Sequence, residues 1–376
     1  MKRIRVLIVD DAVVIRKIVS DVLAGDPEIE IVGTAANGRI ALQKLTQVNP
    51  DLVTLDVEMP EMDGLQTLKA LRVTHPRLPV IMFSTLTERG ASSTIEALTL
   101  GASDYVTKPA NVGSVGVAQQ RVKEQLIPKI KSLCAATTVV AKPAVAPAPV
   151  ARPTAGAPRA WTWPAAGVTS QPEIIAIGVS TGGPNALAEI IPNLPGDFPV
   201  PIVIAQHMPP MFTKFLADRL NAQSPLEVRE AAGGEVLQPG SVFIAPGDHH
   251  MVLRRSGTRI VTALNHDPPE NSCRPAVDVL FRSVHDVYRD NVLAVVLTGM
   301  GQDGLHGCEV IKQGGGSVIV QDEATSVVWG MPGFVARAGL ADRTLPLQLV
   351  AHELVARTEG ARLRRNVANM VSARTT

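Results

Sequence analysis

Cysteine is scarce: Cys134, Cys273 and Cys308 are three in number and far apart. They give neither a disulfide framework nor the close pairs of a structural metal knuckle, which fits a reducing cytoplasm. Long apolar runs are missing as well. The N-terminus opens on Lys2 and Arg3 and continues Ile4-Arg5-Val6-Leu7-Ile8-Val9 in the manner of a secretory leader, but Asp10-Asp11 cut the run short. Nothing approaches the roughly 20 apolar residues of a membrane-spanning helix. Charge of one sign is lacking too: 36 Lys and Arg stand against 35 Asp and Glu, a net +1 that provides no overall field toward nucleic acid or an anionic membrane. The expectation is a cytoplasmic chain without direct membrane insertion and without a nucleic-acid partner.

At 376 residues, 45% hydrophobic and 19% charged, the chain has room for two or three domains, each with its own core. Over residues 1–130, strand patterns (4–9, 29–34, 52–55, 80–83, 104–106) alternate with helical ones, the first carried by Val14, Ile15, Ile18, Val19 and Val22. Alternation of this kind predicts a parallel, doubly wound sheet with ligands outside the carboxyl ends of its strands. The polar residues fall there: Asp10 and Asp11 follow the first strand, Asp56 ends the third, Ser84 ends the fourth and Lys108 follows the fifth. A single acidic residue in such a loop is ordinarily a helix cap; five polar residues at strand ends are not explained that way. Three converging carboxylates repel unless a hard cation neutralises them. Mg²⁺ suits such a site because it takes a few oxygen ligands and keeps positions open for a phosphoryl group.

Val9-Asp10-Asp11, the segment Asp56-Val57-Glu58-Met59-Pro60 through Asp63-Gly64, Phe83-Ser84-Thr85 and Asp104-Tyr105-Val106-Thr107-Lys108-Pro109 resemble the receiver domain of bacterial two-component response regulators over about the first 125 residues. The resemblance implies a flavodoxin-like, five-stranded fold with Asp56 as phosphoryl acceptor and a histidine kinase as donor. It further implies Mg²⁺ held by Asp10, Asp11, Asp56 and the Glu58 backbone carbonyl, and Lys108 on the phosphoryl oxygens. Ser84 and Tyr105 would be the hydroxyl–aromatic pair that shifts on phosphorylation.

Residues 131–171 change composition sharply, to Ala, Pro and Val with scattered Lys142, Arg152 and Arg159. Repeated proline favours an extended, semi-rigid linker. Trp161 and Trp163, two of the three tryptophans, sit near its end. Regular patterning resumes over 172–360, and a short basic tail (Arg362, Arg364, Arg365, Arg374) closes the chain over 361–376.

The second patterned region opens on an apolar run ending in Gly178-Val179-Ser180-Thr181-Gly182-Gly183-Pro184, followed by helical spacing at Leu187, Ile190, Ile191 and Leu194. Strand, tight turn and helix place one hydroxyl at the crest. Gly178-x-Ser180-x-Gly182 fits a nucleophile elbow; the same turn also suits a phosphate cradled on backbone N–H groups, or a plain Gly-rich turn. Further strands at 201–205 and 293–297 lead into Gln206-His207-Met208-Pro209 and Thr298-Gly299-Met300-Gly301-Gln302-Asp303-Gly304. A β-rich insertion over 226–262 includes a hairpin across Ser256-Gly257, and late elements are a strand over 317–321 and a helix over 347–356. The architecture is again parallel α/β, doubly wound, with a β-hairpin insertion. Ser180, His207 and Asp303 thus stand at three strand ends, and an imidazole oriented by a carboxylate is what turns serine into a nucleophile. Singly, His207 is one of eight histidines, and Asp303 sits where it would cap the next helix. The order Ser, His, Asp also departs from the α/β-hydrolase order.

These motifs, with Arg274-Pro275-Ala276-Val277-Asp278 and Gly330-Met331-Pro332-Gly333, resemble the catalytic domain of the chemotaxis protein-glutamate methylesterases; Val179 stands where that family often has alanine. The resemblance implies Ser180 as nucleophile, His207 as general base then acid, and Asp303 as its orienting carboxylate. Met300 would offer an oxyanion N–H and Thr181 a supporting contact. It implies hydrolysis of γ-glutamyl methyl esters on methyl-accepting chemoreceptors with release of methanol, needing no cofactor for the esterase step, and often deamidation of receptor glutamines. A receiver-regulated nucleotide- or phosphate-binding output is the alternative. A nucleic-acid-binding output would need a helix-turn-helix or a basic face, and the second region has neither.

Overall fold

The computed structural model describes residues 3–109, 115–139 and 171–372. The first sheet runs β2-β1-β3-β4-β5, from β1 (Ile4–Val9), β2 (Ile29–Ala35), β3 (Leu52–Asp56), β4 (Val80–Ser84) and β5 (Asp104–Thr107), every pair parallel. β3 and β4 are buried along their whole length, as parallel strands covered on both faces must be. Five helices flank the sheet: α1 (Val13–Ala24), α2 (Gly38–Val48), α3 (Gly64–Thr74), α4 (Glu88–Thr99) and α5 (Val115–Val139). Strand order reverses between β1 and β3, so Asp10 and Asp56 share the crevice where such sheets bind ligands.

The second sheet has seven parallel strands in the order β14-β13-β12-β6-β7-β9-β8. They are β6 (Ile174–Val179), β7 (Ile202–Gln206), β8 (Glu227–Glu230), β9 (Ser241–Ile244), β12 (Val292–Val296), β13 (Ser317–Gln321) and β14 (Arg343–Leu345). Among the described residues β10 (His250–Ser256) and β11 (Arg259–Asn265) stand apart from both sheets, as an antiparallel hairpin. The expected insertion over 226–262 is therefore corrected in part: β8 and β9 pair in parallel and extend the main sheet. The crossover between them, residues 231–240, carries no helix, so the sequence lacks the strand–helix alternation that betrays a parallel pair. α6 (Gly183–Ile190), α7 (Phe212–Gln223), α8 (Val277–Tyr288), α9 (Leu305–Gln313), α10 (Met331–Arg337) and α11 (Leu347–Ser372) complete the domain.

Two boundaries move. α5 continues past residue 130, because Val122, Leu126, Ile130 and Leu133 keep a helical spacing and stay buried against the first core. α11 runs well beyond 347–356 and takes the basic segment from 361 into a helix. The rest of the expected linker, with Trp161 and Trp163, lies outside the described residues, as does Arg374. Among the described residues no helix is long and apolar enough to cross a membrane.

The two domains touch. The Tyr105 and Phe212 rings stack with centroids 4.9 Å apart and planes 12° from parallel, and Asn185 Nδ2 donates to the Ala102 carbonyl at 3.3 Å. Ile95, Leu98 and Tyr105 join Phe212 and Leu216 in one apolar cluster. Val327, before α10, packs on the core that contains Ala118 and Val122 of α5.

Candidate active site and phosphorylation site

Register alone sets Ser180 beside His207. Val179, last in β6, pairs with Gln206, last in β7, so the next two residues leave the sheet side by side. On its other flank Ser180 donates its N–H to the Thr298 carbonyl at 3.0 Å, across the β6–β12 gap where strand order reverses. Gln206, 1% exposed, clamps both neighbours: its Nε2 donates to the carbonyls of Ser180 (3.0 Å) and His207 (3.3 Å). The left-handed residue of the turn is Gly182 (φ 78°), where a Cβ would lie 2.7 Å from Val327. The Gly183 N–H is taken by the Ser180 carbonyl at 2.8 Å, which removes one of the donors a phosphate cradle would need.

Asp303 does not cap its own helix, whose N-cap is Gly304. Its carboxylate instead spans the first turn of α8, accepting from the N–H of Val277 (2.7 Å) and Asp278 (2.9 Å), from Asn271 Nδ2 (3.0 Å) and from His207 Nε2 (2.8 Å). Burial opposes the charged form, but the His207 bond, the His207 charge and the α8 N–H groups outweigh it and hold the carboxyl below its ordinary value. Burial by itself would push the His207 imidazole down; the bond to Asp303, with Cys273 on its far side, carries it above its ordinary value instead. In the neutral imidazole, with Nε2–H committed to Asp303, Nδ1 holds the lone pair, and Cys273 Sγ lies 3.5 Å from it. The Ser180 hydroxyl has no hydrogen bond to His207 among the described residues, an opening common in substrate-free sites.

The other expected contributors divide. The Thr181 hydroxyl makes no bond to His207 among the described residues; the Thr181 carbonyl accepts from Thr298 Oγ1 at 2.9 Å. The N–H groups of Thr181 and Met300 donate to no acceptor among the described residues. They flank the serine closely, since a Cβ on Gly299 would come within 2.8 Å of the Ser180 Cβ. The sequence gives no role to Gln206 and Asp278, which stand in the motifs above, nor to Asn271 and Cys273. Asn271 Nδ2 also donates to Asp278 at 2.9 Å, separating that carboxylate from Asp303. Asn271 and Ser272 both adopt left-handed backbone (φ 52° and 61°), and an Asn-Ser pair in a polar turn was the one available signal.

In the first domain, Lys108 Nζ bridges Asp10 (2.9 Å) and Asp56 (2.7 Å). Asp10, Asp11 and Asp56 each bring a carboxylate oxygen within 4.8 Å of the others. The Glu58 side chain is turned to Arg89 at 3.1 Å, leaving its main chain at the site. Ser84 Oγ donates to the Gly90 carbonyl at 2.9 Å, and Tyr105 is buried under Phe212. Burial, then the Asp10 charge, pushes Asp56 up to about 6 against the pull of Lys108.

Residues 6–116 match the family model for the response regulator receiver domain, and residues 175–354 that for CheB methylesterase. The protein-glutamate methylesterase/protein-glutamine glutaminase of Trichodesmium erythraeum is 53% identical over 357 residues, 95% of this chain and 99% of that protein. The chain belongs to this family. The methylesterase/glutaminase of Nocardioides sp. is 54% identical over 358 residues, 95% of this chain and 96% of that protein. Among solved structures, the Thermotoga maritima CheB methylesterase catalytic domain is 46% identical, with a TM-score of 0.49 over 49% of this chain and 98% of its own.

Two outcomes follow for this member of the methylesterase/glutaminase family. Asp56 is near 6 when folded and about 3.9 unfolded. Without divalent cations its ionisation therefore costs stability progressively as pH rises through that window, and fully above it. Asp56→Asn is expected to stabilise the first domain on the order of 2 kcal/mol at pH 7 and not at all below about pH 4, as read by thermal unfolding in chelator. In the second domain, a histidine acting as general base must be neutral, so kcat/KM is expected to climb with pH through a value above the ordinary 6.5 or so of histidine. Asp303→Asn should move that limb down and lower kcat by up to about 10⁴-fold.

Proposed function

We propose that this enzyme hydrolyses glutamate γ-methyl esters on chemoreceptors, releasing methanol, that it also deamidates receptor glutamines, and that phosphorylation of its receiver domain switches it on. The observation that carries the esterase assignment is the His207–Asp303 bond at 2.8 Å beside Ser180, at the strand-order reversal of the sheet. His207 Nδ1 takes the Ser180 proton as Oγ attacks the ester carbonyl. The oxyanion is received by the N–H groups of Thr181 and Met300, each such donor being worth roughly 3 kcal/mol in a preorganised site. His207 then returns the proton to the leaving methoxide, and water, activated by the same imidazole, releases the glutamate from Ser180. An amide differs only in its leaving group, ammonia, which makes the glutaminase step the same acyl transfer.

The receiver residues fit Mg²⁺: a cluster of hard carboxylate oxygens from two buried aspartates and one exposed, paired among the described residues with Lys108. Asp10, Asp11, Asp56 and the Glu58 carbonyl would hold it, and it supplies charge neutralisation for phosphoryl transfer from a histidine kinase. The interdomain contacts support a closed resting state in the cytoplasm. α7 begins at Phe212, five residues beyond His207, and carries Tyr105 on its first turn. Val327 touches both the α5 core and the space above Gly182. Phosphoryl oxygens at Asp56 would compete with the Gly90 carbonyl for the Ser84 hydroxyl, loosening the first turn of α4, the helix that packs on α7.

Methanol release from methylated receptor membranes tests the whole reading. Wild type should turn over faster with a small phosphodonor, Ser180→Ala should not turn over at all, and Asp56→Asn should stay at the unstimulated rate. A folded Ser180→Ala protein that still released methanol would remove the nucleophile assignment. Separately, Phe212→Ala is expected to raise the unphosphorylated rate several-fold and shrink the response to phosphodonor, since an aromatic pair contributes about 0.5–1.5 kcal/mol beyond its buried area. An unchanged ratio of stimulated to basal rate would exclude the Tyr105 stack from the switch.

A further inference from the structure

The thiol of Cys273 has no part in the ester chemistry, yet it points at the one nitrogen that chemistry needs. We propose that Cys273 Sγ and His207 Nδ1 form an inhibitory site for a soft divalent cation such as Zn²⁺ or Cd²⁺, whose binding switches hydrolysis off. The separation of the two atoms is 3.5 Å. A tetrahedral Zn²⁺ with bonds of about 2.3 Å to sulfur and about 2.0 Å to nitrogen sets those ligands about 3.5 Å apart. The other ring nitrogen is already held by Asp303 at 2.8 Å. A carboxylate on the far imidazole nitrogen is the usual outer support of a metal-bound histidine, because it fixes the tautomer that leaves the ligating nitrogen bare. One ligand atom from each of His207, Cys273 and Asp303 lies within 4.8 Å of the others.

The cysteine is not loosely displayed. Glu270 and Cys273 exchange backbone hydrogen bonds at 3.1 and 2.9 Å around the left-handed Asn271 and Ser272. Arg282 grips Glu270 through both carboxylate oxygens, at 2.7 and 2.6 Å. His207 and Cys273 both keep some exposure, so a cation can reach them from solvent. Binding forms a metal–sulfur and a metal–nitrogen bond and releases the thiol proton, with the Nδ1 proton where one is present. The Nδ1 lone pair is then unavailable to Ser180. Ligand type separates this site from the receiver cluster: thiolate and imidazole select soft or borderline cations, whereas the three aspartates favour hard ones.

The proposal rests on His207 Nδ1 as the base, so binding and inhibition are read separately. Full-length enzyme in saturating Mg²⁺ is titrated with Cd²⁺, following thiolate-to-cadmium charge-transfer absorbance and methanol release in parallel. Each variant is referred to its own metal-free rate. The expected result is a charge-transfer band that rises as turnover falls, both reversed by chelator. In Cys273→Ala the band should be lost and the inhibitory concentration raised roughly tenfold or more. Equal cadmium sensitivity in Cys273→Ala, or no band in wild type, overturns the site. A band with undiminished turnover overturns the inhibition and, with it, Nδ1 as the base. If Cys273→Ala does not turn over, loss of the band in the folded variant supports the site and persistence of the band overturns it.

Discussion

The catalytic domain depends on one buried carboxylate. Asp303, 2% exposed, accepts four hydrogen bonds: two from the first turn of α8, one from Asn271 and one from His207. A helix N-terminus offers free N–H groups and a favourable dipole for such an anion. α8 cannot drift from that position, because Val277, Leu280, Phe281 and Val284 anchor it in the core. Removing one partner from a buried charge pair typically costs about 3–5 kcal/mol. The same residue thus fixes the helix, the Asn271 loop and the imidazole, and the orientation of His207 is inherited from the packing of α8.

Both domains place their chemistry where strand order reverses, but they settle its charge in opposite ways. The catalytic site is neutralised from within, since Asp303 is matched by His207 and by helix N–H groups. The receiver site is left overdrawn: three carboxylates face one lysine, and burial, with the Asp10 charge added to it, pushes Asp56 up to about 6. A site with surplus negative charge takes up a cation, whereas a site in internal balance is ready for a neutral ester. The fold is common to both, and the charge balance separates their functions.

How much of this the sequence discloses depends on how local each constraint is. Ser180, His207, Asp10 and Asp56 each follow or end a largely apolar strand, so their positions could be read from the strand pattern and the rule for parallel sheets. Asp303 was legible as a loop residue after β12, but its role as the anion of α8 was not, because that helix lies 25 residues earlier in the chain. Gln206 reads as the end of a strand, and only its burial against Gly183 reveals the clamp. Asn271 and Cys273 sit in a turn without periodicity, where the backbone conformation, and not the spacing, aims the side chains. β8 and β9 were misjudged because residues 231–240 between them carry no helix and so no alternation, and β14 was missed because its three residues, Arg343–Leu345, are too few to show a period.

The coupling between domains asks little energy of its interface. Regulation by a factor of 5–150 needs only about 1–3 kcal/mol of difference between states. One stacked aromatic pair, one side-chain-to-carbonyl bond and the contacts of α4 on α7 are of that order. A larger apolar interface would hold the receiver in place beyond what a phosphoryl group can release. Tyr105 meets α7 on its first turn, and that turn begins five residues along the chain from His207, so a shift at Tyr105 would act close to the proposed catalytic histidine without a long relay through the core.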